Sequence, residues 1–279
     1  MPEYKKVGYL TTDFKMFHLK DDSMKTFHYH YHDFHKLLIL LSGDVSYCIE
    51  GRTYDLHTND IVFVNAGEVH KPIIHSEHPY ERIIIYISPD FLKSYQEKDM
   101  DLSLCFREAY SEQSHVLRLH SFSNSRIAAI MKDLNASLYD TDYACELHHK
   151  LLFLEFMIQL NRATLHKKIE FIENSTTNEK IIDILNYLNK HLTEDLTIDA
   201  ISTEFFLSRY YLMHTFKEQT GYTIGSYIST KRLLMAKERI TAGDPITTVC
   251  YECGFKNYST FSRAYKKCFG EAPRDQREK

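Results

Sequence analysis

The spacing of apolar positions divides this 279-residue chain into a strand-like part and a helical part. Leu37 to Leu41 is an unbroken apolar run. Val45 to Glu50 alternates around Tyr47 and Ile49, and Ile61 to Val64 and Ile83 to Ile87 are further short runs. Ser42-Gly43-Asp44, Glu50-Gly51-Arg52 and Thr58-Asn59-Asp60 punctuate them. Short strands with turn residues at this spacing predict a small β-sandwich or barrel over residues 1–98. Residues 1–20 carry no readable pattern of their own.

From 101 to 166 the period becomes helical. Ile127, Ile130, Met131, Leu134 and Leu138 share one face. Tyr143 to Leu160 predicts a longer helix whose stripe is Leu147, Leu151, Leu154 and Ile158, widened by Leu152, Phe153, Phe156 and Met157. A helix apolar over most of its circumference is buried. Most of this stripe is expected to pack within the chain, the remainder forming a dimer seam. Glu173 to Asn178 is polar and without period, which places an interdomain linker at 173–178.

The last hundred residues read as helices throughout. Glu179 to Leu192 carries Ile181, Ile184, Leu185 and Leu188 on one face. Thr197 to Leu207 predicts a helix and a turn, and Ser208 caps a helix that carries Leu212, Phe216 and Lys217 and stops at Thr220-Gly221. Thr223 to Ile240 is an amphipathic rod with Ile224, Ile228, Leu233 or Leu234, and Ile240 inward. Ile246, Val249 and Cys250 start a second unit, Gly254-Phe255 interrupts it, and Tyr258 to Lys267 follows, ending at Gly270 with Pro273 beyond. Helix, short turn, helix is thus written twice. Eighteen residues at about 1.5 Å each give the rod a length of about 27 Å, enough to set two reading helices about one DNA turn apart.

Composition adds limits. Hydrophobic residues make up 43% and charged ones 26%, as in ordinary globular proteins. No apolar leader or spanning stretch stands out, because Leu151 to Leu160 is short and carries Glu155 and Gln159. The expected location is cytoplasmic, with no membrane contact. The six cysteines are sparse and scattered, as reduced thiols are. Cys250-x-x-Cys253 lacks a second ligand pair and is read as core. The net charge is −4, but residues 178–279 hold 15 basic against 13 acidic side chains, and from Lys256 onward the ratio is 7 to 3. Positive charge therefore gathers around the second reading helix, where phosphate contact needs it.

The segment Gly254-Phe255-Lys256-Asn257-Tyr258-Ser259-Thr260-Phe261-Ser262-Arg263-Ala264-Tyr265-Lys266-Lys267, with Gly270, Pro273 and Arg277, closely resembles the signature of the AraC/XylS family of bacterial transcription regulators. Leu196 to Gly221 resembles that family's first helix-turn-helix. Phe206 stands where the first turn usually carries Gly, Ser202 and Cys250 replace a usual Ala, and Gln276 replaces a usual Tyr. Helical spacing turns Arg209, Tyr210, Met213, His214 and Lys217 outward on the first reading helix, and Asn257, Tyr258, Ser259, Ser262, Arg263 and Lys266 on the second. The resemblance carries base contact onto Tyr210, Met213 and His214, with packing against the rod the alternative for Tyr210 and Met213. Arg263 is a candidate for bidentate pairing with guanine, or else for phosphate or an internal ion pair.

Histidines crowd the N-terminal half. His30-Tyr31-His32 predicts two imidazoles on one strand face, and His70 follows a strand and turn. The block from His30 to His70 resembles the cupin-like effector barrel of many AraC-family regulators. Lys36 stands where metal-binding cupins carry an acidic ligand, and an ammonium does not ligate. His30, His32, Lys36 and His70 are therefore expected to line a pocket for a small molecule, a sugar or an anionic metabolite, with no metal or other cofactor.

These readings give an α+β protein of two domains. Residues 1–172 form a cupin-like effector-binding and dimerisation domain, and 179–279 form a DNA-binding domain with two helix-turn-helix units joined by a linker helix. The expected function is an effector-controlled, sequence-specific transcription regulator of the activator type, without catalytic activity. Its expected partners are double-stranded DNA, RNA polymerase and a second copy of itself. The alternatives are a metal-dependent cupin enzyme with an appended DNA-binding domain, or a regulator governed by a protein partner with the barrel as scaffold.

Overall fold

The computed structural model describes residues 8, 10, 12–22, 25–120, 122 and 125–277. The outermost residues of both expected domains, 1–7 and 278–279, lie outside the described residues. The N-terminal half contains β1 (Phe14–Asp21), β2 (His35–Ser42), β3 (Val45–Ile49), β4 (Arg52–Asp55), β5 (Ile61–Val64), β6 (His70–Ile74) and β7 (Tyr80–Ile87). Then come α1 (Pro89–Ser94), α2 (Leu104–Ser111), β8 (Val116–Leu119), α3 (Arg126–Ala136), α4 (Cys145–Leu165), β9 (Ile169–Phe171) and β10 (Thr176–Thr177). Two antiparallel sheets face each other. One runs β1-β7-β2-β5-β8-β9 and the other β10-β4-β3-β6.

The unbroken apolar runs follow from burial on both faces of the larger sheet. Leu37 and Ile39 of β2, Ile61 and Phe63 of β5, and Ile83 and Ile85 of β7 point at the helices. Leu38, Leu40, Val62, Val64 and Ile84 point at Tyr47, Ile49 and Tyr54 of the smaller sheet. One layer thus serves two cores, and neither face of these strands needs polar residues.

The structure corrects the sequence reading in three places. β1 lies in the stretch that showed no pattern. It is an edge strand, half exposed and charged at Lys15, Lys20 and Asp21, so period-2 alternation is weak. β8 interrupts the region read as helical and β9 follows it, with β8 closing onto β5 through Ile61↔Leu117 and Val62↔Val116. The stripe assigned to intrachain packing on α4 is not the buried one. Phe153, Phe156, Met157 and Leu160 are buried, while Leu147 and Leu151 remain 59% and 56% exposed.

The expected linker is not free chain. Its backbone forms β10, with Thr176↔Thr53 and Thr177↔Arg52 pairing it to the smaller sheet. After it come α5 (Glu179–Lys190), α6 (Ile198–Glu204), α7 (Arg209–Thr220), α8 (Ile224–Thr241), α9 (Ile246–Glu252), α10 (Tyr258–Phe269) and α11 (Pro273–Arg277). Leu212 and Phe216 of α7 are fully buried against α5, α6 and the first half of α8. Phe261 and Tyr265 of α10 are fully buried against α9 and the second half of α8. Leu233 rather than Leu234 is the inward residue of the pair. Cys250 and Cys253 are both in this second core.

Candidate functional site

Each reading helix is set by its caps. The Ser208 hydroxyl accepts from Tyr211 N–H at 3.2 Å, and Gly221 closes α7 in the left-handed region at φ 76°. The Asn257 side chain accepts from Thr260 N–H at 2.8 Å, and Gly270 closes α10 at φ 83°. With two side chains per helix anchored inward, the opposite face is free. Arg209, Tyr210, Met213, His214 and Lys217 are all exposed on α7. Asn257, Tyr258, Ser259, Arg263 and Lys266 are exposed at the start and along α10, and Ser262 is half-buried. The two sets lie on separate helices joined through α8.

Several of these groups have local partners. Arg209 is paired with Asp199 of α6. His214 stacks on Tyr210 with ring centroids 5.7 Å apart, and its Nδ1 lies 4.0 Å from Glu218. Arg263 Nε donates to the Ser259 carbonyl, one turn back, at 3.2 Å. Such exposed pairs contribute little to stability, so these side chains can be redirected to a duplex at small cost.

His30, His32, Lys36 and His70 do converge. His30 and His32 reach it from an irregular segment joined to β6 by the His30↔His70 bridge, not from a regular strand. The ligating nitrogens of the three histidines lie within 4.8 Å of one another. Lys36 Nζ donates to Tyr47 OH at 2.8 Å and lies 3.4 Å from His70 Nε2. Burial, reinforced by Arg82, brings the Lys36 ammonium down to about 7. Burial, with Lys36 adding, brings His30 down to about 4, and His70 is pushed well below the usual imidazole range for the same reasons. The unfolded chain takes up the His30 proton first, so this group opposes folding as pH falls from 6.5 toward 4. The residues present would offer a cation three neutral imidazoles, but the fourth group is an amine that repels it while charged.

A second polar region lies where the domains meet. Glu50, at the β3–β4 turn, is buried. It accepts from Val69 N–H at 2.9 Å, from Tyr227 OH at 2.7 Å and from Lys231 Nζ at 3.0 Å, the last two both on α8. Tyr222 OH donates to the Tyr29 carbonyl at 2.6 Å, and Lys237 pairs with Asp33 at 2.7 Å. Val69 belongs to the same core as Leu212 and Phe216. A Cβ on Gly221 would lie 2.6 Å from the Tyr29 ring, so the Tyr29 side chain packs onto the Gly221 backbone as closely as glycine permits. Beside this seam opens a cleft of about 960 Å³ with Glu50, Arg52, Glu68, Lys190 and Lys231 among its lining.

Comparison with known proteins decides the family. Residues 17–155 match the model of the AraC-like ligand binding domain, and residues 201–279 match that of a helix-turn-helix domain. The chain belongs to the AraC/XylS family. Its relatives include the HTH-type transcriptional activator RhaS of Shigella sonnei, 25% identical over 260 residues that span 89% of this chain and 87% of that one. RhaS of Escherichia coli strain CFT073 is 26% identical over 265 residues, with the same coverage. Among solved structures, an apo form of ToxT from Vibrio cholerae aligns over 95% of this chain and 97% of that one, at 17% identity and a TM-score of 0.42.

This AraC-family chain is therefore a DNA-binding transcription regulator with an N-terminal ligand-binding domain. Among its described residues no helix is long and apolar enough to cross a membrane. Sequence reasoning missed the seam altogether: it places Glu50 only in a turn and assigns Lys231 no role. Their separation of 181 residues leaves no local signal.

Proposed function

We propose that this chain is an effector-controlled transcriptional activator that reads two successive major-groove segments with α7 and α10. The observation that carries the reading is the pair of capped helices, each anchored by two buried side chains and each presenting an exposed polar face. In this reading Tyr210, Met213 and His214 contact bases in one groove segment. Arg263 pairs with guanine in the next, flanked by Asn257, Tyr258, Ser259 and Ser262. Arg209, Lys217 and Lys266 hold phosphates, which fix register. RNA polymerase is the partner that an activator requires, and the working compartment is the cytoplasm.

His30, His32, Lys36 and His70 form the polar pole of the ligand-binding domain that meets the effector. No catalytic role is included, since the relatives named above are regulators and the imidazole cluster holds a lysine where an acid would be needed. The dimer forms through α4. Leu147, Leu151, Leu154, Ile158 and Leu165 recur at spacings of four, three, four and seven, the rhythm of a coiled-coil seam. Leu147, Leu151, Ile158 and Leu165 are all exposed.

The test is selection of duplexes from a random pool by the full chain, followed by affinity measurement on the enriched sequence. The expected outcome is one motif with two elements about one helical turn apart, and no binding by a variant lacking Arg263 and His214 side chains. Enrichment of no sequence would sink the proposal.

A further inference from the structure

The cleft beside the domain seam carries a charge pattern that the seam itself does not use. Four cationic side chains line it: Arg52 from the start of β4, Arg107 from α2, Lys190 at the end of α5 and Lys231 from α8. Among the described residues two carboxylates face them, Glu50 and Glu68. Both carboxylates are already committed. Glu50 is held by Val69 N–H, Tyr227 and Lys231. Glu68 accepts from Asn65 N–H at 2.6 Å and from Asn65 Nδ2 at 3.1 Å, and pairs with His115 at 3.2 Å. Burial raises the Glu68 carboxyl, but His115, Lys231 and the Asn65 N–H together outweigh it and bring the group down to about 2, so it stays ionised.

Arg107 is neutralised from outside the cleft by Asp101 at 2.6 Å. Arg52 donates to the neutral amide of Gln113 at 3.3 Å. Among the described residues no carboxylate is paired with Arg52 or Lys190. One of these two cations belongs to the ligand-binding domain and the other to the DNA-binding domain. Between them the walls offer side-chain amides, Asn65, Asn186 and Asn189, which donate and accept. The space of about 960 Å³ is far larger than a lone oxyanion needs and falls at the upper end of small-molecule sites.

We propose that this interdomain cleft binds a hydroxylated organic anion, such as a sugar acid or a sugar phosphate, whose charge is held between Arg52 and Lys190 and whose hydroxyls are read by the asparagine amides. The site is distinct from the cluster at His30, His32, Lys36 and His70. It extends the effector-control reading and rests on it for its regulatory meaning, though not for ligand binding. Because the two cations come from different domains, such a ligand binds the docked arrangement better than the undocked one. It therefore shifts that equilibrium, which is what an effector must do.

The experiment is a thermal melt of the full chain with D-glucuronate, glucose 6-phosphate and neutral glucose, repeated on Arg52→Ala, Lys190→Ala and His30→Ala. A ligand at about 100 times its Kd raises the melting temperature by several degrees. The expected result is a rise with one or both anions, the responding one naming carboxylate or phosphate as the preferred charge, and none with glucose. That rise disappears in Lys190→Ala and Arg52→Ala and persists in His30→Ala. Lys190 is exposed on α5, so its truncation keeps the test open if Arg52→Ala loosens β4. The proposal is overturned by no shift with either anion, by an equal shift with glucose, or by a shift kept in Lys190→Ala and lost in His30→Ala. Duplex binding measured on the same samples separates the two readings: a chain that binds the anion but no DNA supports the cleft and refutes the regulator.

Discussion

The two helix-turn-helix units differ in what they lean on. The first shares its core with the ligand-binding domain: Val69 and Tyr29 pack with Leu212, Phe216 and Tyr227, and the buried Glu50 holds Tyr227 and Lys231. The second has a core of its own, Leu233, Ala236, Ile240, Val249, Cys250, Cys253, Phe261 and Tyr265. It touches the first domain through the polar contact of Tyr31 with Cys268 at 3.3 Å and the Lys93–Glu238 and Lys237–Asp33 pairs on the adjoining half of α8. Their turns differ as well. Phe206 takes the left-handed conformation at φ 51° with its ring 94% exposed, whereas Gly254 takes it at φ 82° under the guanidinium of Arg232. One unit is wired to the sensing domain and tolerates strain in its turn. The other is self-contained and built tightly around a glycine. A change in the ligand-binding domain reaches the first unit through a shared apolar core and the second through polar contacts on α8 and α10.

The largest way to break this asymmetry is Glu50→Ala. It strands Lys231 in a site where only 14% of its side chain is exposed, and breaking a buried pair from one side costs about 3–5 kcal/mol. In denaturant melts with amide exchange, protection should fall in α5, α7 and the first half of α8 and persist in α9 and α10. A loss under about 1 kcal/mol would show the pair to be ornamental. Gly254→Ala attacks the other side. The new Cβ would sit 2.9 Å from Arg232 Cζ and 3.0 Å from the Thr193 carbonyl, at a φ that side chains avoid. A cost of about 2–4 kcal/mol is expected, with the exchange pattern reversed.

Arg263→Ala sharpens the comparison at the DNA. It should cost about 1–3 kcal/mol on the selected duplex and little on random duplex, leaving the melting curve unchanged. Equal losses on both would make Arg263 a phosphate contact. Smallest is Phe206→Gly, which relieves a left-handed non-glycine residue and should stabilise the first unit by about 1 kcal/mol. A destabilised variant would mean that the exposed ring has a packing role the fold does not reveal.

The helical domain was legible because its signals are local. Ser208, Gly221 and Gly270 each act within one turn of where they stand, and the inward pairs Leu212/Phe216 and Phe261/Tyr265 follow from the helical period alone. The doubly buried strands were legible as apolar runs. β1 and β8 were not, since an edge strand needs no alternation and four residues show no period. The convergence of His30, His32, Lys36 and His70 was anticipated from spacing and resemblance. The exposed stripe of α4 was misjudged because period shows that a face is apolar, not what covers it. The seam and its cleft depend on pairs such as Tyr222 with Tyr29 and Lys231 with Glu50, set by the docking of two domains and by nothing within a sequence window.

The short pairing of Thr176 and Thr177 with β4 changes what kind of joint links the domains. A free tether transmits only distance, and one added residue would hardly matter to it. Here the joint is stitched to a sheet on one side and runs through Asn178 into α5 on the other. Each residue inserted into the first turn of α5, after Glu179, would therefore turn the rest of that helix by about 100° about its axis and move it about 1.5 Å along it. The coupling has a phase. Insertions of three or four residues should restore Leu185 to the face that meets Gly51, while insertions of one or two should turn it away. Regulation in such a chain would vary with the number of residues inserted as a periodic function, not a gradual one.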